Sequence, residues 1–133
     1  MSLLDEEVVG DFFKLYDLRG MRKVPRNRKR NSLDIRADIL MLARSGPLKT
    51  YIMRLANLSY KQSKNYLESM VGANFISVWN GNRYRTTDRG RDFLDAYAKY
   101  QYWKEEREKR LKFLGELIRE KTITDLSLVS LSV

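Results

Sequence analysis

Thr50-Tyr-Ile-Met-Arg-Leu-Ala-Asn57 is followed by Leu58-Ser59 and then by Tyr60-Lys-Gln-Ser-Lys-Asn-Tyr-Leu-Glu-Ser-Met-Val71. Ile52, Met53, Leu55 and Ala56 give the first segment the pattern of a short helix. In the second, Ser59 and Gln62 stand at capping-box spacing with Leu58 ahead as a hydrophobic staple, which predicts a helix starting at Tyr60. On a helical wheel Tyr60, Ser63, Leu67, Met70 and Val71 share one face, assigned to the core. Lys61, Gln62 and Asn65 fall on the opposite face, with Lys64 on its margin. After Gly72, Phe75-Ile-Ser-Val-Trp79 and Arg83-Tyr-Arg-Thr86 flank Asn80-Gly81-Asn82. An Asn-Gly pair between alternating runs is a strong hairpin signal. With Tyr84 inward, strand alternation turns Arg83 and Arg85 outward together.

Upstream, Ser32 to Arg44 forms another helix pattern, with Leu33, Ile35, Ile39, Leu40 and Leu42 as apolar candidates and Ser32 as a natural N-cap. Ser45-Gly46-Pro47 closes it through a glycine followed by proline. Helix, short helix, tight turn, helix and basic hairpin is the element order of a winged helix-turn-helix, here over residues 32–86. The fold class is mainly α with a small β-hairpin (α+β). In that architecture the second helix of the pair can enter a DNA major groove. Lys49, Thr50, Lys61, Gln62, Lys64 and Asn65 are therefore candidate DNA contacts. Lysine can meet guanine acceptors or phosphate, and Gln or Asn can pair bidentately with adenine. Long polar side chains on the outer face of any solvated helix have the same composition, so the turn and hairpin carry the reading. Arg83 and Arg85 suit phosphate or minor-groove contact beside a wing tip. Trp79 is either a hairpin packing residue or a stacking surface.

The flanks have simpler patterns. Residues 1–20 form an amphipathic helix with Leu4, Val8, Phe12, Leu15 and Tyr16 near one stripe, Ser2 as cap and Gly20 as stop. It packs on the body or on a partner. Residues 21–31, Met-Arg-Lys-Val-Pro-Arg-Asn-Arg-Lys-Arg-Asn, have no apolar period and contain a proline, so they form an extended basic linker. Arg26, Arg28, Lys29 and Arg30 there can lie along DNA phosphates or enter a minor groove. An ordinary solvated linker would look the same. Residues 87–121 are a long helix capped by Thr87-Asp88, with Phe93, Tyr97, Tyr100, Lys104, Arg107, Leu111, Leu114 and Ile118 at alternating four- and three-residue steps. That is a coiled-coil seam whose middle is broken by the basic pair Lys104 and Arg107. Phe93, Tyr97, Tyr100, Leu111, Leu114 and Ile118 are thus the candidate homodimer contacts, with docking of the N-terminal helix as the alternative. Residues 122–133 form a tail that suits a short strand or terminal disorder.

Charge is unevenly spread along the 133 residues, whose net charge is +9. Residues 21–31 hold six bases and no acid, and residues 32–91 ten bases and four acids, whereas 1–20 are net acidic and 92–133 balanced. The excess lies where a polyanion-binding surface needs it. Cysteine and histidine are both absent. That removes disulfides, Cys/His zinc sites, thiolate nucleophiles and Ser-His-Asp triads. No converging carboxylate or lysine site replaces them, so an enzyme is not expected, nor is a cofactor or metal. Asp34 and Asp38, an i,i+4 pair, read as an exposed surface pair. The longest apolar run, Ile39 to Ala43, is too short to cross a bilayer, and the acidic start is unlike a signal peptide. A cytoplasmic, nucleoid-associated location is the expectation.

The run Thr50 to Tyr60, then Tyr66-Leu67, then Tyr84-Arg-Thr-Thr-Asp-Arg-Gly-Arg-Asp-Phe-Leu94 resembles the archaeal winged-helix family of small "10a" DNA-binding proteins. The resemblance covers roughly 33–118. It implies a homodimer through a long antiparallel C-terminal coiled coil and binding of double-stranded DNA as a regulator or chromatin component. It also implies recognition-helix roles for Lys61, Gln62 and Asn65 and wing roles for Arg83 and Arg85. Residues 1–31 extend beyond the family's compact core, and Ala73-Asn74-Phe75-Ile76 replaces the usual Gly-Leu-Ile lead into the hairpin. The expected function is a duplex DNA-binding winged-helix regulator. The alternative is a protein-interaction module on the same fold, because a fold does not fix a function.

Overall fold

The structure is a computed structural model describing residues 3–26 and 28–131, with side chains described over 4–26 and 28–120. Its elements are α1 (Leu3–Phe13), α2 (Ser32–Leu42), a 3₁₀ turn (Ala43–Ser45), α3 (Lys49–Leu55), α4 (Tyr60–Gly72), β1 (Ile76–Trp79), β2 (Arg83–Thr86) and α5 (Asp88–Leu131). The chain forms two compact units, Met1–Lys99 and Tyr100–Val133.

In the first unit, Ile39, Leu40 and Leu42 of α2 are buried in one cluster with Ile52 of α3, Leu67 and Met70 of α4, Ile76 of β1 and Leu94 of α5. Burying an aliphatic side chain of this size is worth about 1.5–3 kcal/mol. Residues from five elements meet there, so the cluster sets how the helix pair and hairpin stand to one another. The hairpin is antiparallel, with Ile76 opposite Thr86 and Trp79 opposite Arg83. Leu48 adds a single bridge to Arg83, extending the sheet by one residue just ahead of α3. Thr86 ties the hairpin to α2 by donating to the Leu40 carbonyl at 2.6 Å.

Local chemistry sets the helix ends. Ser59 Oγ accepts from the Gln62 amide at 3.1 Å and Gln62 Oε1 from the Ser59 amide at 3.0 Å, the reciprocal box expected from the spacing. For α2 the cap is Asn31 rather than Ser32, because Asp34 returns the bond: Asn31 Oδ1 accepts from the Asp34 amide and Asp34 Oδ2 from the Asn31 amide, both at 2.9 Å. Helices α3 and α4 end alike. Asn57 (φ 55°) and Asn74 (φ 63°) take the left-handed position. The next amides, Leu58 and Phe75, then bond back to the Met53 and Met70 carbonyls at 3.0 and 2.9 Å. Each is a Schellman stop with asparagine where glycine is usual. Asn74 therefore supplies the turn for which the hairpin lead lacks a glycine.

Several expectations change. Helix α1 ends at Phe13 instead of continuing to Gly20. The Asp17 carboxylate accepts from the Arg19 and Met21 amides at 2.9 and 3.1 Å, so 17–21 form a tight turn. Gly20 (φ 80°) closes it so near the end of α2 that a Cβ would lie 3.0 Å from the Leu42 Cα. Val8, Phe12 and Tyr16 are buried, and Phe12 packs edge-on against Tyr97 at 5.4 Å, so this part of the N-terminal apolar stripe faces its own domain, while Leu4 is exposed. The Ser2 cap lies outside the described residues. Tyr60 is 67% exposed and Val71 and Leu33 are also exposed, not core. Ser63, Leu67 and Met70 form the buried face of α4 and leave Tyr60 and Val71 on its margin, and α2 turns Asp34, Ala37, Asp38 and Met41 inward in place of Leu33.

Helix α5 starts as expected, with Thr87 Oγ1 accepting from the Gly90 amide at 3.1 Å and donating to the Asn74 carbonyl at 2.7 Å. It runs to Leu131, so most of the 122–133 segment is helical rather than strand or disordered tail. No glycine or proline follows Gly115 to stop it. Ser132 and Val133 lie outside the described residues.

Candidate nucleic-acid interface

Residues expected to form a loose basic arm are instead folded onto α2. Arg26 Nη2 lies 2.8 Å from Asp38 Oδ1, with its Nε 3.8 Å from Asp34. Arg28 Nη1 is 2.8 Å from Asp34 Oδ2. Arg30 Nη1 reaches Asp38 at 3.1 Å and donates to the Ala56 carbonyl at 2.6 Å, while its Nη2 donates to the Asn57 carbonyl at 3.2 Å. The Tyr16 hydroxyl donates to Asp38 at 3.0 Å, and the Tyr97 hydroxyl donates to Asp34. Asp34 is 0% and Asp38 8% exposed, so the expected surface pair is in fact buried. A buried carboxylate needs several donors, and the guanidinium fork supplies two at once. Of the four basic-arm candidates only Lys29 stays fully on the surface; Arg26, Arg28 and Arg30 bind carboxylates inside the domain.

The titration behaviour follows from these contacts. Burial alone would raise the Asp34 carboxyl, but the Tyr97 hydroxyl, the Asn31 amide and the Arg28 and Arg26 guanidiniums outweigh it and hold it below the usual carboxylate value. Burial, then the bond to Asp34, pushes the Tyr97 phenol up to about 12. Burial and the negative charge of Asp38 raise Tyr16 further.

The outer cations meet elsewhere. The Leu48–Arg83 bridge sets the turn end of the hairpin, where Arg83 pairs with Trp79, beside the start of α3. The Tyr84 amide donates to the Pro47 carbonyl at 3.0 Å, reinforcing that contact. From there the Lys49 ammonium reaches over the Tyr60 ring at 4.7 Å, joining the N-terminus of α3 to that of α4. The turn end of the hairpin, Lys49 and Tyr60 are therefore consecutive neighbours, and Lys61 follows Tyr60 on α4. Thr50, Lys61, Gln62, Lys64, Asn65 and Arg85 are exposed, while Lys49 and Arg83 are half-buried. Arg83 and Arg85 lie on the Trp79 side of the hairpin, 5.7 and 4.8 Å from its ring, and Arg83 also donates to the Gly46 carbonyl at 3.2 Å. Trp79 is thus the packing platform for both arginines. Gly46 (φ 74°) makes room for it, since a Cβ there would lie 3.0 Å from the ring.

Two candidates are modified by this geometry. The Gln62 carbonyl oxygen is engaged in the capping box, which leaves only its amide protons for an outside acceptor. Tyr60, assigned to the core by the wheel, presents an exposed ring at the first turn of α4. Its position immediately after the cap was the available signal, because first-turn residues project past the domain.

The six candidate dimer contacts divide. Tyr97 is 4% exposed and Phe93 packs on Phe75 at 5.4 Å, so both belong to the core of the first unit. In the second unit Tyr100, Leu111, Leu114 and Ile118 are exposed, as are Trp103, Phe113 and Leu117. Among the described residues no cluster of three or more metal-ligating side chains occurs. No described helix is long and apolar enough to cross a membrane.

None of the curated proteins matches the chain in sequence. Among solved structures it is similar to the crystal structure of Sso10a-2, a DNA-binding protein from Sulfolobus solfataricus, with a TM-score of 0.58 and 21% identity over 66% of this chain and 96% of that one. That likeness is one of fold. The family model described as winged helix-turn-helix matches residues 29–105, which take in α2, α3, α4, the hairpin and the first turns of α5. By that match, and by the same elements found in the structure, this chain belongs to the winged helix-turn-helix family.

Proposed function

We propose that the protein binds duplex DNA as a homodimeric regulator, with α4 in the major groove and the hairpin on the backbone beside it. The observation that carries this is the neighbour chain Arg83–Leu48–Lys49–Tyr60, which joins the turn end of the wing and the first turns of both helices of the pair. Lys61, Lys64 and Asn65 then offer donors to base edges, and Lys49, Thr50, Arg83 and Arg85 bind phosphates. The Sulfolobus neighbour is a DNA-binding protein, which supports the same use of the fold. Two copies would pair through Tyr100, Leu111, Leu114 and Ile118, whose exposed apolar spacing suits a second helix. Of the basic arm, Lys29 remains a backbone contact, with Arg26, Arg28 and Arg30 bracing the domain.

The test is fluorescence anisotropy with a labelled duplex over a salt series. Lys61→Ala and Arg85→Ala should each weaken binding, and the log–log salt slope should fall by about 0.9 for each phosphate contact removed. Wild-type protein that fails to bind duplex at low salt would overturn the reading in favour of a protein-interaction module. The exposed apolar row of the second unit would then dock a different helical partner.

A further inference from the structure

We infer that a second phosphate-binding groove, built by the N-terminal turn, takes the DNA backbone flanking the segment read by α4; this rests on the duplex-binding reading above. The groove encloses about 650 Å³, and Arg19, Lys23, Arg44 and Arg91 are among the residues that line it. All four are exposed. The acid in its wall, Asp17, already accepts the Arg19 and Met21 amides. Arg91 pairs with Asp88 at 3.2 Å on an open surface, a contact that solvent screens and a phosphate can replace. Arg44 rests over the Phe13 ring at 5.0 Å, which holds its guanidinium in place without neutralising it. Four cations against two carboxylates, Asp17 held by backbone amides and Asp88 by Arg91, leave a net positive groove that suits a phosphodiester rather than an acidic or apolar surface.

The position of the groove supports the same occupant. Ser45 in its wall directly precedes Gly46, whose carbonyl holds Arg83 of the wing at 3.2 Å. On the other side the Arg19 carbonyl accepts from the Tyr51 hydroxyl at 3.3 Å, on the first turn of α3. The groove therefore adjoins both Arg83 at the turn end of the wing and the start of α3, two parts of the interface assigned to backbone. It is also preformed. The Tyr16–Arg22 bridge, the Lys23 amide bonded to the Leu15 carbonyl at 2.7 Å and the close seating of Gly20 hold the turn against α2. Little ordering cost then opposes phosphate binding.

The experiment measures duplex affinity of the full chain over salt concentration and duplex length, for wild type, Arg19→Ala/Lys23→Ala and Lys23→Glu. We expect the double variant to lower the salt slope by about 2, from about 0.9 per phosphate. It should also abolish the affinity gained from added flanking base pairs, and Lys23→Glu should weaken long duplexes more than short ones. Both side chains are exposed, so melting temperatures should match wild type. Unchanged slope and length dependence, alongside weaker binding by Lys61→Ala, would overturn the groove and leave the recognition helix standing. Absence of any wild-type duplex binding would overturn both. Amide shifts at Arg19 and Lys23 on adding inorganic phosphate, with no change in duplex slope, would assign the groove to small free anions and overturn the inference.

Discussion

At the residue scale, Asp34 is the position with the most attached to it. It accepts from Tyr97, Asn31 and Arg28, has Arg26 nearby, and is itself closed to solvent. Asp34→Asn keeps the shape but leaves two guanidiniums facing a neutral amide, so a loss of about 3–5 kcal/mol is expected in urea unfolding. The folded carboxyl titrates below the unfolded value of 3.8, so its stabilisation is complete above that pH and fades as pH falls through the folded value. The variant should accordingly show a flatter acid limb. Tyr97 has the opposite sign: its phenol rises from 10.0 to about 12, so stability is full below pH 10 and drains away towards pH 12. That loss is on the order of 3 kcal/mol, and Tyr97→Phe should remove its share of the slope in that window, leaving that of Tyr16, while lowering stability at neutral pH. These ties were not legible in the sequence. An Asp pair four residues apart looks the same whether its helix face meets solvent or core, and arginines in a proline-broken run look free.

At the scale of elements, the Thr87-Asp88-Arg89-Gly90 run is readable in physical terms. Thr87 caps α5, and Gly90 lets that helix approach the hairpin lead so closely that a Cβ would sit 2.3 Å from the Phe75 carbonyl oxygen. Gly90→Ala should therefore lower the melting temperature despite its better helix propensity. A shift corresponding to about 1–3 kcal/mol is expected from overpacking, checked by thermal unfolding. Asn57 and Asn74 form a second such pair of positions. Replacing either by glycine should be tolerated, whereas Asn57→Val should cost about 1–2 kcal/mol, because a β-branched residue resists the left-handed region. Circular dichroism melts of the two variants separate these outcomes. The capping box of α4 was plain from Ser59 and Gln62, since caps depend on local spacing alone. Its consequence, that the Gln62 oxygen is engaged, needed the hydrogen bond itself.

At the scale of the whole molecule, pairing of two copies would tie oligomeric state to affinity. Leu111→Glu/Leu114→Glu places charge in the proposed helix pairing, so sedimentation should show a monomer. Affinity for a duplex carrying two sites should drop about a hundredfold or more, as two linked contacts become one. A variant that sediments like wild type and binds equally well would reject pairing through these positions. The distribution of charge takes on a different meaning at this scale. The six bases of residues 21–31 are compatible with either a phosphate-binding arm or a solvated linker when read from sequence. Three of them neutralise buried carboxylates, so the outward charge lies more on α3, α4, the hairpin and the N-terminal turn.

The amino-acid sequence alone determined the order of elements in the winged helix, the capping box of α4 and the hairpin turn. These depend on neighbours a few residues apart, and such interactions are written directly in spacing and residue type. Tertiary structure decided which way each face points. It buried Asp34 and Asp38, drew Arg26, Arg28 and Arg30 onto them, took Phe93 and Tyr97 into the core and left Tyr60 outside. Burial depends on elements distant in sequence closing over a side chain, and local pattern carries no record of that.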